Sequence, residues 1–136
     1  IKCFMYELVS LLATGLSIGF ILFQVGINTS VVFTKLSPKN ASVVLRTIFP
    51  RFFLSIFFFS LVSFISLYLS KNEGFAVIIS VATAIIASVC YFLIPFTNNA
   101  RDAGNDRLFS FYHSISVFST VLILIINLIS FFSYHV

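Results

Sequence analysis

The stretch FAVIISVATAIIASVCYFLIPF, residues 75–96, contains no charged side chain and decides the class of this protein. As an α-helix it is long enough to cross the ~30 Å hydrocarbon core of a bilayer, which takes about 20 residues. Three further stretches are similarly apolar, at residues 4–33, 52–70 and 108–134. Since only short connectors separate them, we predict an all-α integral membrane protein whose single domain, residues 1–136, is an antiparallel bundle of four transmembrane helices.

Composition supports this class and excludes others. Hydrophobic residues make up 60% of the chain and charged residues 9%, with a mean hydropathy of +1.12, whereas about a quarter of a soluble domain is charged. The net charge of +4 lies in the connectors, and aromatic residues follow the spans and do not alternate with the charges as a stacking platform for bases would. We therefore expect membrane lipids and other membrane subunits as partners, and no nucleic acid.

The basic residues predict an orientation. Six of the eight flank the first and third connectors, namely Lys35, Lys39, Arg46, Arg51, Arg101 and Arg107, and the other two are Lys2 and Lys71. Because basic connectors stay on the inner side, both termini are predicted on the outer, lumenal or intermembrane side. The membrane is then a bacterial inner membrane or an organellar inner membrane.

The first and second connectors carry local structural signals. Ser37 followed by Pro38 predicts a helix start, and apolar residues at helical spacing then predict a short interfacial helix over residues 38–49, ended or kinked by Pro50. In the short turn between the second and third spans, Gly74 is available for a positive φ angle.

Polar residues form a stripe along the first span and another along the fourth, and polar groups avoid lipid, so both stripes should face the bundle interior. The first comprises Glu7, Ser10, Thr14, Ser17, Gln24 and Asn28; the second comprises Asp106, Ser110, His113, Ser116, Thr120, Asn127, Ser130 and Tyr134. Interhelical hydrogen bonding is one interpretation. The other is a polar site, with His113, Glu7, Gln24, Asn28, Thr120 and Asn127 as candidates.

Chemistry-bearing residues are few. His113 is the best single candidate because imidazole binds haem or metals and passes protons, yet we expect it to make a structural hydrogen bond to the 98–107 connector or the first helix. That connector carries the charges Arg101, Asp102, Asp106 and Arg107. No catalytic or metal-ligating set is predicted from residue order or spacing. Gly15, Gly19 and Gly26 are predicted sites of close helix packing.

Three local patterns resemble the transmembrane protein 205-like family, also catalogued as domain of unknown function 4149. They are Gly19-Phe20 through Leu36, Leu45 through Phe53 with its Phe-Pro followed by aromatics, and Leu93-Ile94-Pro95 followed by Phe109, His113 and Ser116. The likeness runs from about Gly15 to Ser130. It implies a compact four-helix membrane bundle whose biochemistry is unsettled.

The leading functional hypothesis is a non-catalytic accessory or scaffold subunit of a larger membrane complex, with an energy-transducing complex among the candidates. No cofactor is expected. The alternatives are a haem-, quinone- or metal-linked redox protein that uses His113, and a small transporter or ion pathway.

Overall fold

A computed structural model describes residues 1–72 and 74–133 of the chain. Its elements are α1 (Lys2–Phe23), a π-helical segment (Gln24–Asn28), α2 (Thr29–Lys35), α3 (Pro38–Leu69), α4 (Phe75–Asp102) and α5 (Asp106–Ser133). α1, the π-helical segment and α2 form one continuous helix, so the first span covers Lys2–Lys35. Four helices are thus long and apolar enough to cross a membrane, which confirms the predicted class. The predicted end of the fourth span at residue 134 lies outside the described residues.

The four spans form a ring. The first span packs against α3 and α5, and α4 packs against the same two helices, while in the described residues no Cα atoms of the diagonal pairs lie within 8 Å of each other. The connectors at residues 36–37 and 103–105 lie together, and we refer to this as the connector end. The opposite, turn end holds the start of α1 and the turn after α3, where the Cys3 thiol donates to the Ser70 carbonyl at 3.2 Å.

The prediction of a separate interfacial helix over residues 38–49 is wrong, because α3 continues from Pro38 through Pro50 to Leu69. Ser37 caps its start as predicted, accepting from the Asn40 N–H at 3.4 Å. Proline removes one helical hydrogen bond, a loss that buried helices tolerate when their packing is otherwise good, and Phe52 and Phe53 are 2% and 3% exposed. At ~1.5 Å per residue, α3 is about 48 Å long, so it extends beyond a ~30 Å hydrocarbon core.

The turn between α3 and α4 also differs from expectation. Lys71, and not Gly74, adopts the positive φ angle, at 58°, while Gly74 has φ −80°. The Gly74 N–H donates to Asn72 Oδ1 at 2.8 Å, and a Cβ atom on Gly74 would lie 2.9 Å from that oxygen. A side chain at position 74 would therefore displace the Asn72 amide from this hydrogen bond, whereas the φ angle of Gly74 does not favour glycine.

Apolar side chains form the centre of the bundle and also its outer surface. The buried cluster joins all four spans and consists of Ile21, Phe52, Phe53, Ile56, Ala87, Cys90 and Ile123. Large apolar side chains such as Phe58, Phe92 and Phe118 remain exposed on the outside. A surface of this kind suits contact with acyl chains, as expected of a multi-pass membrane protein.

Candidate ligand cavity

A cavity of about 680 Å³ opens at the connector end of the bundle. All four spans contribute to it, together with the connector that precedes α3. Its walls are mostly apolar, and its polar side chains are few. Those that carry the argument below are Gln24, Thr29, Arg46, Asn98, Arg101, His113, Ser116 and Thr120. We call this space the Gln24 cavity.

Gln24 gives the cavity its most unusual feature. It is 5% exposed, and its Nε2 atom has no hydrogen-bond partner among the described residues. Its Oε1 atom already accepts from Asn28 Nδ2 at 2.7 Å, so the part of the amide without a partner is the Nε2 donor. Buried amide N–H groups are nearly always paired, because an unpaired one has lost its water without compensation.

The π-helical segment sets the local backbone around Gln24. The Gln24 carbonyl accepts from the Thr29 N–H, five residues on, and also from Thr29 Oγ1 at 2.8 Å. One-turn π segments within α-helices are rare and are frequent at functional sites. Here the segment gives Gln24, Asn28 and Thr29 a shared hydrogen-bond network beside the cavity.

The mouth of the cavity is polar. Arg46 donates two hydrogen bonds to the Asp102 carboxylate, at 2.5 and 3.0 Å, and this ion pair links α3 to the end of α4. The Arg101 guanidinium lies 4.8 Å from the centre of the Phe109 ring, an arrangement typical of a cation–π contact. Two cations and one carboxylate thus surround the entrance.

Aromatic and aliphatic side chains make the walls below that mouth. Phe49, Phe52 and Phe53 come from α3, and Ile94 comes from α4. Thr120 lies on the α5 side, but its hydroxyl is taken by the Ser116 carbonyl at 2.8 Å. Among the described residues, Gln24 Nε2 is thus a buried donor without a hydrogen-bond partner, on a residue that lines a mostly apolar chamber.

One side of the cavity is open between helices. α1 packs against α5, but in the described residues no Cα atom of the π-helical segment or of α2 lies within 8 Å of a Cα atom of α5. Val25, Thr29 and Phe33 of the first span line the cavity together with Val117 and Val121 of α5. The first span and α5 are therefore close together along α1 and farther apart at the connector end.

His113 lies on the cavity wall, but not as expected. Its ring is exposed and stacks on Phe109, with centroids 5.6 Å apart and planes 7° apart. Within the described residues it makes no hydrogen bond to the connector or to the first span, so the predicted bond is wrong. The reason is that Phe109 lies one turn earlier on α5 and holds the ring along that helix.

The other predicted polar candidates separate into two groups. Gln24, Thr120 and His113 line the cavity, and Asn28 supports Gln24. Asn127 instead donates to Thr83 Oγ1 at 2.8 Å between α5 and α4, away from the cavity. Glu7 is half-buried near the turn end.

The two stripes do face inward at Ser10, Ser17 and Ser130, but Tyr134 lies outside the described residues.

The connector charges and the glycines are also divided. Arg101 and Asp102 stand at the mouth, while Asp106 and Arg107 are exposed in the first turn of α5.

A Cβ atom on Gly15 would contact the Phe131 side chain at 3.4 Å. Gly19 and Gly26 are exposed, with no described atom within 4 Å of such a Cβ, so they do not pack against another helix of this chain.

Sequence reasoning missed two elements of the site. The sequence indicates only an orienting charge at Arg46, because nothing local reveals a partner 56 residues away. The π-helical segment was not foreseen either, although Gln24, Asn28 and Thr29 cluster within an apolar span and that cluster was the available signal. In the part of the chain that the structure covers, no group of three or more His, Cys, Asp or Glu side chains is placed to hold a metal ion.

These features define a four-span, all-α membrane protein with a cavity inside one end of its bundle. The chain belongs to the family described as Domain of unknown function (DUF4149), which matches residues 12–106. The matched region includes Gln24, the π-helical segment, Arg46 and Arg101, and it stops before His113. Comparisons with curated proteins and with solved structures found no match.

Proposed function

We propose that this chain is a non-catalytic membrane protein that binds a membrane-soluble molecule in the Gln24 cavity. The observation that carries the proposal is that Gln24 lines the cavity and that its buried Nε2 atom has no hydrogen-bond partner among the described residues. A cavity of about 680 Å³ is in the usual size range of small-molecule sites, roughly 300–1,000 Å³, and such sites combine apolar walls with a few polar groups.

Blocking the cavity tests this proposal. Ser116 is half-buried and lines the cavity, so Ser116→Trp should fill it, whereas Ser133→Trp places the same ring on an exposed position of the same helix. The full chain is purified in lipid nanodiscs, and bound small molecules are extracted and identified by mass spectrometry. A molecule present in the wild type and in Ser133→Trp but lost in Ser116→Trp supports the proposal. Equal amounts in all three proteins contradict it.

A second candidate function is that of an accessory or scaffold subunit in a larger membrane complex. What favours it is an apolar groove of about 470 Å³ on the outer face of α3 and α4, lined by Phe57, Ser88, Phe92 and Phe96 among others. The ridge of a partner span would fit such a groove. Ser88→Trp would fill it, so native gel electrophoresis after mild extraction should show the loss of a larger assembly. A chain that migrates as a monomer before any substitution contradicts this candidate.

We further propose that the chain has no cofactor of its own. The alternatives are a haem-, quinone- or metal-linked redox role through His113, and a transport pathway. An optical spectrum of the purified protein tests the haem alternative directly. A haem band that disappears in His113→Ala would replace the present proposal with the redox one.

Two finer assignments complete the proposal. The family is the transmembrane protein 205-like one, which the Phe-Pro-aromatic segment at residues 49–53 supports. The connector end faces the cytoplasm, matrix or stroma, with both termini on the opposite side, because basic connectors are retained on the inner side of a membrane.

A further inference from the structure

We propose that the molecule held in the Gln24 cavity is a neutral, membrane-soluble carbonyl compound, whose carbonyl oxygen accepts a hydrogen bond from Gln24 Nε2. This inference rests on the proposed function and specifies the chemistry of its ligand. Three observations carry it: the unused donor, the position of the nearby charges, and the open side of the cavity.

The free Nε2 donor of Gln24 requires a hydrogen-bond acceptor on the ligand. Asn28 Nδ2 donates to Gln24 Oε1 at 2.7 Å, and in this arrangement Nε2 is the group of the Gln24 amide that is left for a ligand. A pure hydrocarbon, or the end of an acyl chain, would leave this N–H unpaired in an apolar chamber. A carbonyl oxygen is the common acceptor that can be carried into such a chamber at low desolvation cost.

The charges favour a neutral group at this depth. An amide dipole alone does not compensate a buried anion, which needs a paired cation. The cations stand at the mouth, where Arg46 is paired with Asp102 and Arg101 lies over the Phe109 ring. A carboxylate or phosphate held at Gln24 would therefore be buried without a counter-charge.

The open side favours delivery from the bilayer. No Cα atom of α2 lies within 8 Å of a Cα atom of α5 in the described residues, and both helices line the cavity with apolar side chains, including Phe33 and Val117. A carbonyl head can therefore pass between the helices and reach Gln24 while its apolar tail remains in the gap. The same gap would hold a tail longer than the cavity itself.

The test uses the full chain in phosphatidylcholine nanodiscs with decylubiquinone, whose carbonyl carbons are labelled with carbon-13, as the probe. Decylbenzene, which has the same chain on a ring without oxygen, is the control ligand. In wild-type protein the infrared carbonyl band should shift to lower frequency relative to the probe in protein-free nanodiscs. Decylbenzene should bind more weakly than decylubiquinone.

Two variants test whether the Gln24 donor contributes to binding. Gln24→Leu keeps the size of the side chain but removes the donor, so affinity for the probe should fall by roughly threefold to tenfold and the band shift should vanish. Arg107→Gln removes an exposed cation that does not line the cavity, and affinity should stay within about twofold. The band shift in the wild type needs no variant, so it decides the matter even if Gln24→Leu fails to fold.

Three results would overturn the inference. The probe binds without a band shift, Gln24→Leu binds it as well as the wild type, or oleate displaces it and Arg101→Gln weakens oleate binding by more than about tenfold. In the last case an anionic amphiphile occupies the cavity, so the inference fails and the proposed function stands. If neither probe binds and Ser116→Trp carries the same small molecules as the wild type, water alone fills the cavity and both proposals fail.

Discussion

At the scale of single residues, buried hydrogen bonds between helices hold this bundle in register. Asn127 Nδ2 donates to Thr83 Oγ1 at 2.8 Å, and the hydroxyls of Ser10 and Ser63 are 2.7 Å apart. Lipid offers no competing partners for such groups, although measured contributions average only about 0.6 kcal/mol. Each bond also specifies which helix faces which, because a rotated helix would expose the same groups to acyl chains.

The Asn127 and Thr83 pair should show measurable coupling. Asn127→Leu and Thr83→Val each remove one partner and retain most of the volume. In a double-mutant cycle their effects on the free energy of unfolding should be non-additive by about 0.6 kcal/mol, with about 1.7 kcal/mol as an upper bound. Unfolding by sodium dodecyl sulfate, followed by circular dichroism, measures this. The exposed Ser133→Ala, combined with Thr83→Val, should be additive, and additivity in both cycles would contradict the prediction.

The sequence predicted the inward faces of these residues but not their partners. A helical repeat in the polar pattern places Ser10, Ser17 and Asn127 on one face of each helix, and burial confirms it. Which neighbouring helix that face meets depends on the order of the spans around the ring. For Asn127 the partner helix is α4 and not the first span, and no periodicity within α5 contains that information.

At the scale of elements, the packing of α3 against its neighbours overrides the tendency of Pro50 to break the helix. Pro50 predicted a break, but the helix continues, with Phe52 and Phe53 buried just beyond it. The side chain of Arg51 donates to the Thr47 carbonyl at 2.8 Å, so polar side chains supply hydrogen bonds in this turn. The helix start, in contrast, was readable from Ser37 and Pro38, because capping is a local property.

Pro50→Ala should stabilise the protein. Alanine restores an N–H that can donate to the Arg46 carbonyl and removes the clash of the proline ring with the preceding turn, so we expect a gain on the order of 1 kcal/mol. The midpoint of unfolding by sodium dodecyl sulfate measures the effect. A lower midpoint would contradict this expectation and would mean that Pro50 shapes the helix for the packing of Phe49 and Phe53.

The ion pair between Arg46 and Asp102 makes stability at the connector end depend on salt. Asp102→Asn removes the carboxylate, and exposed ion pairs weaken as ionic strength rises. The wild-type unfolding midpoint should therefore fall from low to high salt, and this dependence should be much smaller in Asp102→Asn. Asp106→Asn is the matched control, since Asp106 is an exposed acid at the same end with no ion pair among the described residues. Equal salt dependence in Asp102→Asn and the wild type would count against the pair.

At the scale of the whole molecule, the ring of four spans is tight at one end and open at the other. The Cys3 contact to Ser70 closes the turn end, while the Arg46 and Asp102 pair ties only α3 to α4 at the connector end. Helix lengths and hydropathy predicted the spans, because these quantities are additive along a sequence. The splayed opening arises from how the first span and α5 diverge beyond Gln24, and a linear pattern does not encode that divergence.

The same geometry predicts the topology. Because Arg46 contacts Asp102, the first and third connectors must lie on one side of the membrane, and Cys3 places the start of α1 with the opposite turn. Single cysteines at Asn40, Ala103 and Lys2, in a Cys3→Ser and Cys90→Ser background, report these sides through a membrane-impermeant maleimide.

Asn40→Cys and Ala103→Cys should react alike, and Lys2→Cys should react from the other side. Since six of the eight basic residues flank the two connectors, only Lys2→Cys should be labelled from outside intact cells. Different sidedness for positions 40 and 103 would contradict the fold, whereas outside labelling of both would contradict only the orientation. With the expected outcome, the Gln24 cavity opens at the inner leaflet, and a ligand that enters between α2 and α5 comes from that leaflet.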